Sequence, residues 1–356
     1  MALCVRPLID TGSAGLRFGA EVSGIGPLPL LQAELDEIVA AFEAHGVVVL
    51  DLGQKVDDEQ HVALGEQLAA AMGSALEGSA PSQGHSGRPS MSVVTNMNEE
   101  GGILPASHPT LAAIVGAQFW HSDGSFRSVS SHASIVRCPV PVPPGNGGQT
   151  AFVSQRHAWN TLSPDLQQSS RKLTAVHDLA YSRALANPDL RGSEDIPAQL
   201  PPVTHPVVRE TAAGPTLFLG AHASHLLSLE PQESRELICR LNNHICNVDK
   251  ELVLTHEWRE GDMIIYDNRS VLHRGCPFDG ADHTPRKLVR VTVAGVEQAS
   301  SLSTRDTTTQ AAPAQAPLPA PDLAQRLRAA VGVSDLGEVD AERRYYGNFA
   351  EARTRL

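Results

Sequence analysis

Residues 30 to 45, LLQAELDEIVAAFEAH, place apolar side chains at three-to-four spacing and stop at Gly46, the pattern of an amphipathic helix closed by glycine. The run VVVLDL follows at once and reads as a buried strand. A second helix is predicted over DDEQHVALGEQLAAAMG, with Asp57 or Asp58 as N-cap and acidic residues in its early turns. Residues 73 to 90 are rich in Gly, Ser and Pro and read as a loop. From about 118 to 298 the texture changes to short β-branched segments: ASIVRCPVPV, QTAFVS, PTLFLG, KELVLTHEW, MIIYDN and KLVRVTVAG. Gly, Pro, Asn and Asp separate them, which predicts a mainly β sandwich or barrel with flanking helices near 156 to 184 and 231 to 247.

Beyond this region the pattern fails. Residues 299 to 322 are rich in Ala, Pro and Thr without periodicity and read as a linker. Residues 323 to 356 form a C-terminal extension that ends with Tyr345, Tyr346 and Phe349 close together. Two readings of it stay open: an end that remains in solvent, and a segment that packs back over the active site.

Composition narrows the function. A chain of 356 residues with 41% apolar content can bury a sizeable core. The formal net charge is −12 and no Lys/Arg-rich run is present, which argues against nucleic acid and against an anionic membrane surface. A small-molecule partner fits better, and a homo-oligomer is left open. Five cysteines without a CxxC pair read as reduced thiols, hence a cytoplasmic protein. The first residues turn polar too early for a signal peptide, and no apolar run approaches the ~18 residues of a membrane span. There is no GxxxxGK[ST], no clean GxSxG elbow and no complete GxGxxG.

The candidate chemistry lies in FWHSDGSF, with His121 and Asp123, and in YDNRSVLHRG, with His273. On a strand, residues i and i+2 share a face, so His121 and Asp123 are expected to converge on one metal from one strand end. His273 from a distant strand would complete a two-histidine, one-carboxylate set that leaves metal positions open, as Fe(II) oxygen chemistry needs. His-x-Asp by itself is weak, since about one match arises by chance in a chain with 15 histidines. Context strengthens it. Arg290 in KLVRVTV and Thr150 in GGQT supply a guanidinium and a hydroxyl, the expected anchors for the far carboxylate of a keto-diacid whose near end chelates iron.

With FGAEVSGIG, PPGNGGQTAFVS, THPVVRE, LFLGAHASHL and WREGDMIIYDNRSVLHRG in order around these residues, the chain resembles the taurine dioxygenase / 2,4-dichlorophenoxyacetate dioxygenase (TauD/TfdA) family of Fe(II)/2-oxoglutarate-dependent oxygenases. GAHASH and DNRSVLHRG look nearer the dichlorophenoxyacetate branch. The resemblance implies a double-stranded β-helix, jelly-roll or cupin-like, in a dioxygenase domain over 1–298 with its β-helix core at about 90–298. It implies His121, Asp123 and His273 as Fe(II) ligands, Thr150 and Arg290 as 2-oxoglutarate ligands with Arg286 as a second basic residue, and O2 as co-substrate. Succinate and CO2 would be released as the substrate is hydroxylated, cleaved, desaturated or cyclised.

Substrate candidates are Asn96 and Asn98, which fall where the family places substrate contacts, His222 in GAHASH, and Tyr345 if the tail covers the site. Histidines such as His222 can equally serve only to hold a loop. Trp120 is expected in the core, Cys276 as a buried thiol, and Asp267, Asn268 and Arg269 as fixing the turn before His273. Ala117 stands where family members often carry Asn, and the first substrate loop is a Gly/Ser-rich stretch. A small carboxylate- or sulfonate-bearing substrate, aryloxyalkanoate-like, is the leading reading. An amino-acid hydroxylase or oxidative cyclase of secondary metabolism is the alternative within the family. A Zn-binding or non-catalytic β-barrel is the alternative of another class, and a 2-oxoglutarate anchor counts against it.

Overall fold

The computed structural model describes residues 2–12, 16–78, 90–105, 108, 114, 116–186, 200–247, 252–278 and 284–296. The extension beyond 299, with Tyr345, and most of the Gly/Ser-rich stretch lie outside them. The first strands are β1 (Cys4–Asp10), β2 (Arg17–Ser23), β3 (Val47–Leu50), β4 (Met91–Thr95), β5 (Ala133–Val140), β6 (Thr150–Ser154) and β7 (Thr174–His177). They continue as β8 (Val203–Pro206), β9 (Val208–Thr211), β10 (Gly214–Leu217), β11 (Ala223–Leu226), β12 (Leu254–His256), β13 (Met263–Asp267), β14 (Val271–Gly275) and β15 (Lys287–Val293). The helices are α1 (Gln32–His45), α2 (Asp58–Ala71), α3 (Gln155–Thr161), α4 (Pro164–Ser170), α5 (Leu179–Ala186) and α6 (Pro231–Asn247).

Both early helices form where their periodicity places them. α1 ends on Gly46 in the left-handed region, whose amide donates to the Phe42 carbonyl at 2.8 Å, and the chain turns directly into β3. α2 is capped by the Asp57 carboxylate, which accepts from the Gln60 amide.

The helices expected near 156 to 184 form as three, α3, α4 and α5, with a strand among them that was not expected. Leu162 is extended before Ser163, which caps a new helix with Pro164 in its first turn, so α3 and α4 are separate. Residues 174–177 then become β7, which pairs with β8 and β11. These pairings are tertiary and leave no periodic trace.

The large sheet runs β1-β2-β3-β13-β5-β15-β4, antiparallel except for β2 with β3. Its first three strands lie before residue 90, so the sheet is completed by the N-terminal region. A smaller sheet, β12-β6-β14, packs against it, and the two share a core of Val136, Phe152, Ile264, Val271 and Leu288. On the large sheet's other face α1 and α2 pack over Val48, Ile135, Met263, Ile265, Val289 and Val291. On the small sheet's outer face α3, α4 and α6 pack over Ala151, Val153 and Leu272. The result is a jelly roll flanked by helices. Because both faces of β13 are covered, its sequence MIIYD is nearly continuously apolar.

The two-residue period of the strands places the polar residues that matter. Inward-facing Val136, Phe152, Val271 and Leu288 set the parity for Ser134, Thr150, His273 and Arg290, which therefore project between the sheets. Among the described residues, no helix is long and apolar enough to cross a membrane.

Several buried histidines are held neutral. Burial pushes His61 and His205 down to about 4 from an ordinary 6.5. The unfolded chain binds these protons first as pH falls, so their contribution to stability is complete above pH 6.5 and is lost between 6.5 and about 4. Each steepens the loss by up to about 1.4 kcal/mol per pH unit. The apoprotein is expected to melt at a clearly lower Tm at pH 5 than at pH 7.5, by calorimetry in matched ionic strength. An unchanged Tm would overturn the assignment of neutral buried imidazoles.

Candidate active site

His273 sits in the middle of β14 opposite Phe152 of β6. His121 is joined to it through the main chain: the His121 amide donates to the His273 carbonyl at 3.0 Å and the His273 amide donates back at 2.9 Å. This isolated bridge corrects the expected single strand end. Asp123 lies in a turn, and its neighbour Gly124 has φ +66°. A Cβ at Gly124 would fall 2.0 Å from the Ser131 hydroxyl, so the turn admits only glycine. The bridge and the turn, rather than strand pleat, bring imidazole and carboxylate together. One donor atom from each of His121, Asp123 and His273 lies within 4.8 Å of the others, the one such group found among the described residues.

The donors suit a divalent transition metal. Phe119 carbonyl can only accept, so the 2.7 Å contact from His121 Nδ1 fixes the proton there and leaves the Nε2 lone pair for a metal. Burial, with the neighbouring His121, pushes His273 down to about 3, so it also presents a neutral imidazole. Burial opposes ionisation of Asp123, yet the Arg290 guanidinium and the two imidazoles outweigh it and hold the carboxyl well below its usual range. Two neutral imidazoles and one carboxylate on one side of a metal are the two-histidine, one-carboxylate arrangement of non-haem Fe(II).

The Asp123 carboxylate is held from several directions. Arg290 Nη1 pairs with Oδ1 at 2.6 Å, while the hydroxyls of Ser134 and Tyr266 donate to Oδ2 at 2.7 and 2.8 Å. The Asp123 amide donates to the Asn268 side-chain oxygen at 3.2 Å, and the Asn268 amide donates to Ser134. Tyr266, Ser134 and Asn268 were not singled out as site residues by the sequence. A tyrosine in an otherwise apolar buried strand is the one signal that pointed to Tyr266, since a buried phenol needs a partner.

A cavity of about 90 Å³ opens beside the two histidines. Its wall includes Thr150, Trp258, Cys276, Phe278, Arg286 and Arg290, with Ala117 and Gln118 on the loop before His121. Trp258 Nε1 donates to the Thr150 hydroxyl oxygen at 2.9 Å, which leaves the Thr150 proton to be donated elsewhere. The Arg286 guanidinium is buried, and its hydrogen-bond acceptor is the Gly148 carbonyl at 3.1 Å; among the described residues no carboxylate pairs with it. Burial lowers its pKa to about 10.

The other candidates divide. His222 lies beside the centre, edge-on to His121 with ring centroids 5.9 Å apart, and Nδ1 is 2.9 Å from the Ser125 hydroxyl. Asn96 uses its amide on the Thr284 carbonyl and its oxygen on the Arg286 amide, so it fixes the segment that carries Arg286. Asn98 accepts from the amides of Glu100 and Gly102 and shapes its own loop. Neither asparagine lines the cavity. Trp120 is in the core, the Cys276 thiol is pushed up by burial, and Asp267 accepts from Arg269 and Ser270 to fix the turn before His273. Tyr345 lies outside the described residues.

Known proteins resemble this chain. Residues 6–292 match the family model described as taurine catabolism dioxygenase TauD, TfdA family. The alpha-ketoglutarate-dependent 2,4-dichlorophenoxyacetate dioxygenase of Cupriavidus pinatubonensis is 32% identical over 264 residues, covering 72% of this chain and 89% of that protein. The (S)-phenoxypropionate/alpha-ketoglutarate-dioxygenase of Sphingobium herbicidovorans is 27% identical over 286 residues, covering 77% and 92%. The crystal structure of AAD-2 in complex with Mn(II) and N-oxalylglycine superposes with a TM-score of 0.71 at 27% identity, covering 85% of this chain and all of that one. The chain belongs to the TauD/TfdA family and is an Fe(II)/2-oxoglutarate-dependent dioxygenase.

Proposed function

We propose that this dioxygenase oxidises an aliphatic C–H bond of a small carboxylate- or sulfonate-bearing substrate of the aryloxyalkanoate type. One O2 is used; one oxygen atom enters the substrate and the other enters the succinate formed, with CO2, from 2-oxoglutarate. Where the oxidised carbon bears an aryloxy group, the hydroxylated product collapses to a phenol and an oxo acid. The substrate class rests on the relatives, a 2,4-dichlorophenoxyacetate and a phenoxypropionate dioxygenase. The five free thiols support a cytoplasmic setting.

In this reading His121, Asp123 and His273 hold the iron, which when bound supplies the chelation of 2-oxoglutarate and the activation of O2. The residues around it divide the remaining work. Arg286 carries the assignment of the co-substrate site: a buried guanidinium with only a neutral carbonyl acceptor is unfavourable until an anion reaches it. Thr150, with its proton free, donates to the same carboxylate. Arg290 is already neutralised by Asp123, so it positions the metal-binding carboxylate and closes the cavity next to Arg286. Ala117 and Gln118 border the space left for substrate. A zinc hydrolase or a non-catalytic barrel has no use for this Thr150–Arg286 pair.

Two outcomes are expected. Arg286→Gln raises the KM for 2-oxoglutarate by about 30-fold or more, while the affinity for Mn(II), read by equilibrium dialysis, changes little. An unchanged KM would move the co-substrate anchor elsewhere. In a succinate-release screen of aryloxyacids, alkyl sulfonates and amino acids, with products identified by mass, aryloxyacids are expected to give the highest turnover. Turnover with amino acids alone would favour the hydroxylase or cyclase alternative, and turnover with neutral molecules alone would refute an anionic substrate.

A further inference from the structure

The cations around the metal centre are nearly all spoken for. Arg290 pairs with Asp123 and Arg286 faces the Thr150 end of the cavity. Arg209 lies over the Phe218 ring at 3.5 Å and bonds Ser130, and Arg274 lies over the Trp120 ring at 4.9 Å. Arg183 on α5 is different. It is half-buried, and among the described residues no carboxylate, carbonyl or aromatic ring engages its guanidinium.

Its place in the fold is defined by the elements on either side. α5 follows β7, whose His177 pairs with Ala223, and the Asp178 amide donates to the His222 carbonyl at 2.8 Å, so the helix hangs from the segment that carries His222. On the other side, a Cβ built on Gly116 would lie 3.1 Å from Arg183 Nη1. The guanidinium therefore rests on the backbone that leads, through the Phe119 amide donating to the Gly116 carbonyl, into His121. Arg183 is thus bracketed by the two loops whose imidazoles meet edge-on at 5.9 Å. Thr150 and Arg286 lie with Gly275, Cys276 and Phe278, past His273 along the chain of β14.

We propose that Arg183 anchors the anionic head group of the primary substrate on the His222 side of the metal centre. The assignment rests on the reading of the substrate as a carboxylate or sulfonate. A guanidinium stays charged in a half-buried site and gains most from a planar or tetrahedral oxyanion that takes two of its N–H groups. Electrostatics agree with this placement. Burial alone lowers the pKa of Arg183, with no anion to raise it. Co-substrate and substrate thereby meet separate cations.

The test measures binding without turnover. The anaerobic enzyme loaded with Fe(II) and 2-oxoglutarate is expected to show a visible charge-transfer band that substrate binding perturbs. The probes are 2,4-dichlorophenoxyacetate, its primary amide and hexyl sulfate. In the wild-type protein both acids are expected to bind more tightly than the amide. Arg183→Met should raise the Kd of the acids at least about tenfold and that of the amide less than about threefold. Arg183→Lys should recover most of the acid affinity, and the band itself should persist in both variants, which shows the co-substrate site intact. Equal weakening of acid and amide in Arg183→Met would mark Arg183 as structural and overturn the proposal. A retained preference for the acid would overturn the Arg183 assignment while leaving the anionic-substrate reading standing. No preference for acid over amide in the wild-type protein would overturn both.

Discussion

An ionised carboxylate enclosed between two sheets is the constraint on which this molecule is organised. Burial alone would drive Asp123 to its neutral form, and an unpaired charge at that depth would cost several kcal/mol. The structure answers with a guanidinium from β15, hydroxyls from β5 and β13, and an amide side chain from the turn before β14. The guanidinium and both hydroxyls come from strands whose other face is occupied by the helical layer or the shared core, while the Asn268 oxygen accepts from the Asp123 backbone amide. The jelly roll is in this sense a device for converging side chains from distant strands on one carboxylate. His121 and His273 then add the neutral nitrogen donors.

Much of this was legible in the sequence, for identifiable reasons. The helix ending at Gly46 and the strands MIIYD and KLVRVTV are recognisable because burial on one or two faces leaves a periodic apolar record. The candidate iron ligands and the two arginines could be picked out because few residue types perform that chemistry and their order matches a known family. What was not legible depends on tertiary pairing. β7 hides inside a stretch with helical texture because its partners, β8 and β11, are remote in sequence. Asp123 reaches the metal position through a glycine turn and a two-bond bridge, for which a two-residue spacing is an incidental correlate. Asn96 and Asn98 stand where substrate contacts were expected, yet their polar atoms are consumed by backbone groups.

Arg286 and Arg290 illustrate how position refines composition. Arg290 lies in β15 and Arg286 just before it, and both line the cavity, so sequence alone offers both as anchors for the same anion. Their surroundings separate them: one is matched to an acid of the protein and the other to a neutral carbonyl. Arg183, distant in sequence and on a helix, enters the same electrostatic balance only through the fold.

The reciprocal pair of backbone bonds between residues 121 and 273 has a consequence for metal binding. The two histidines are held together by main chain whether or not anything joins their rings. A metal bound between these rings would therefore meet two imidazoles that the backbone already sets side by side.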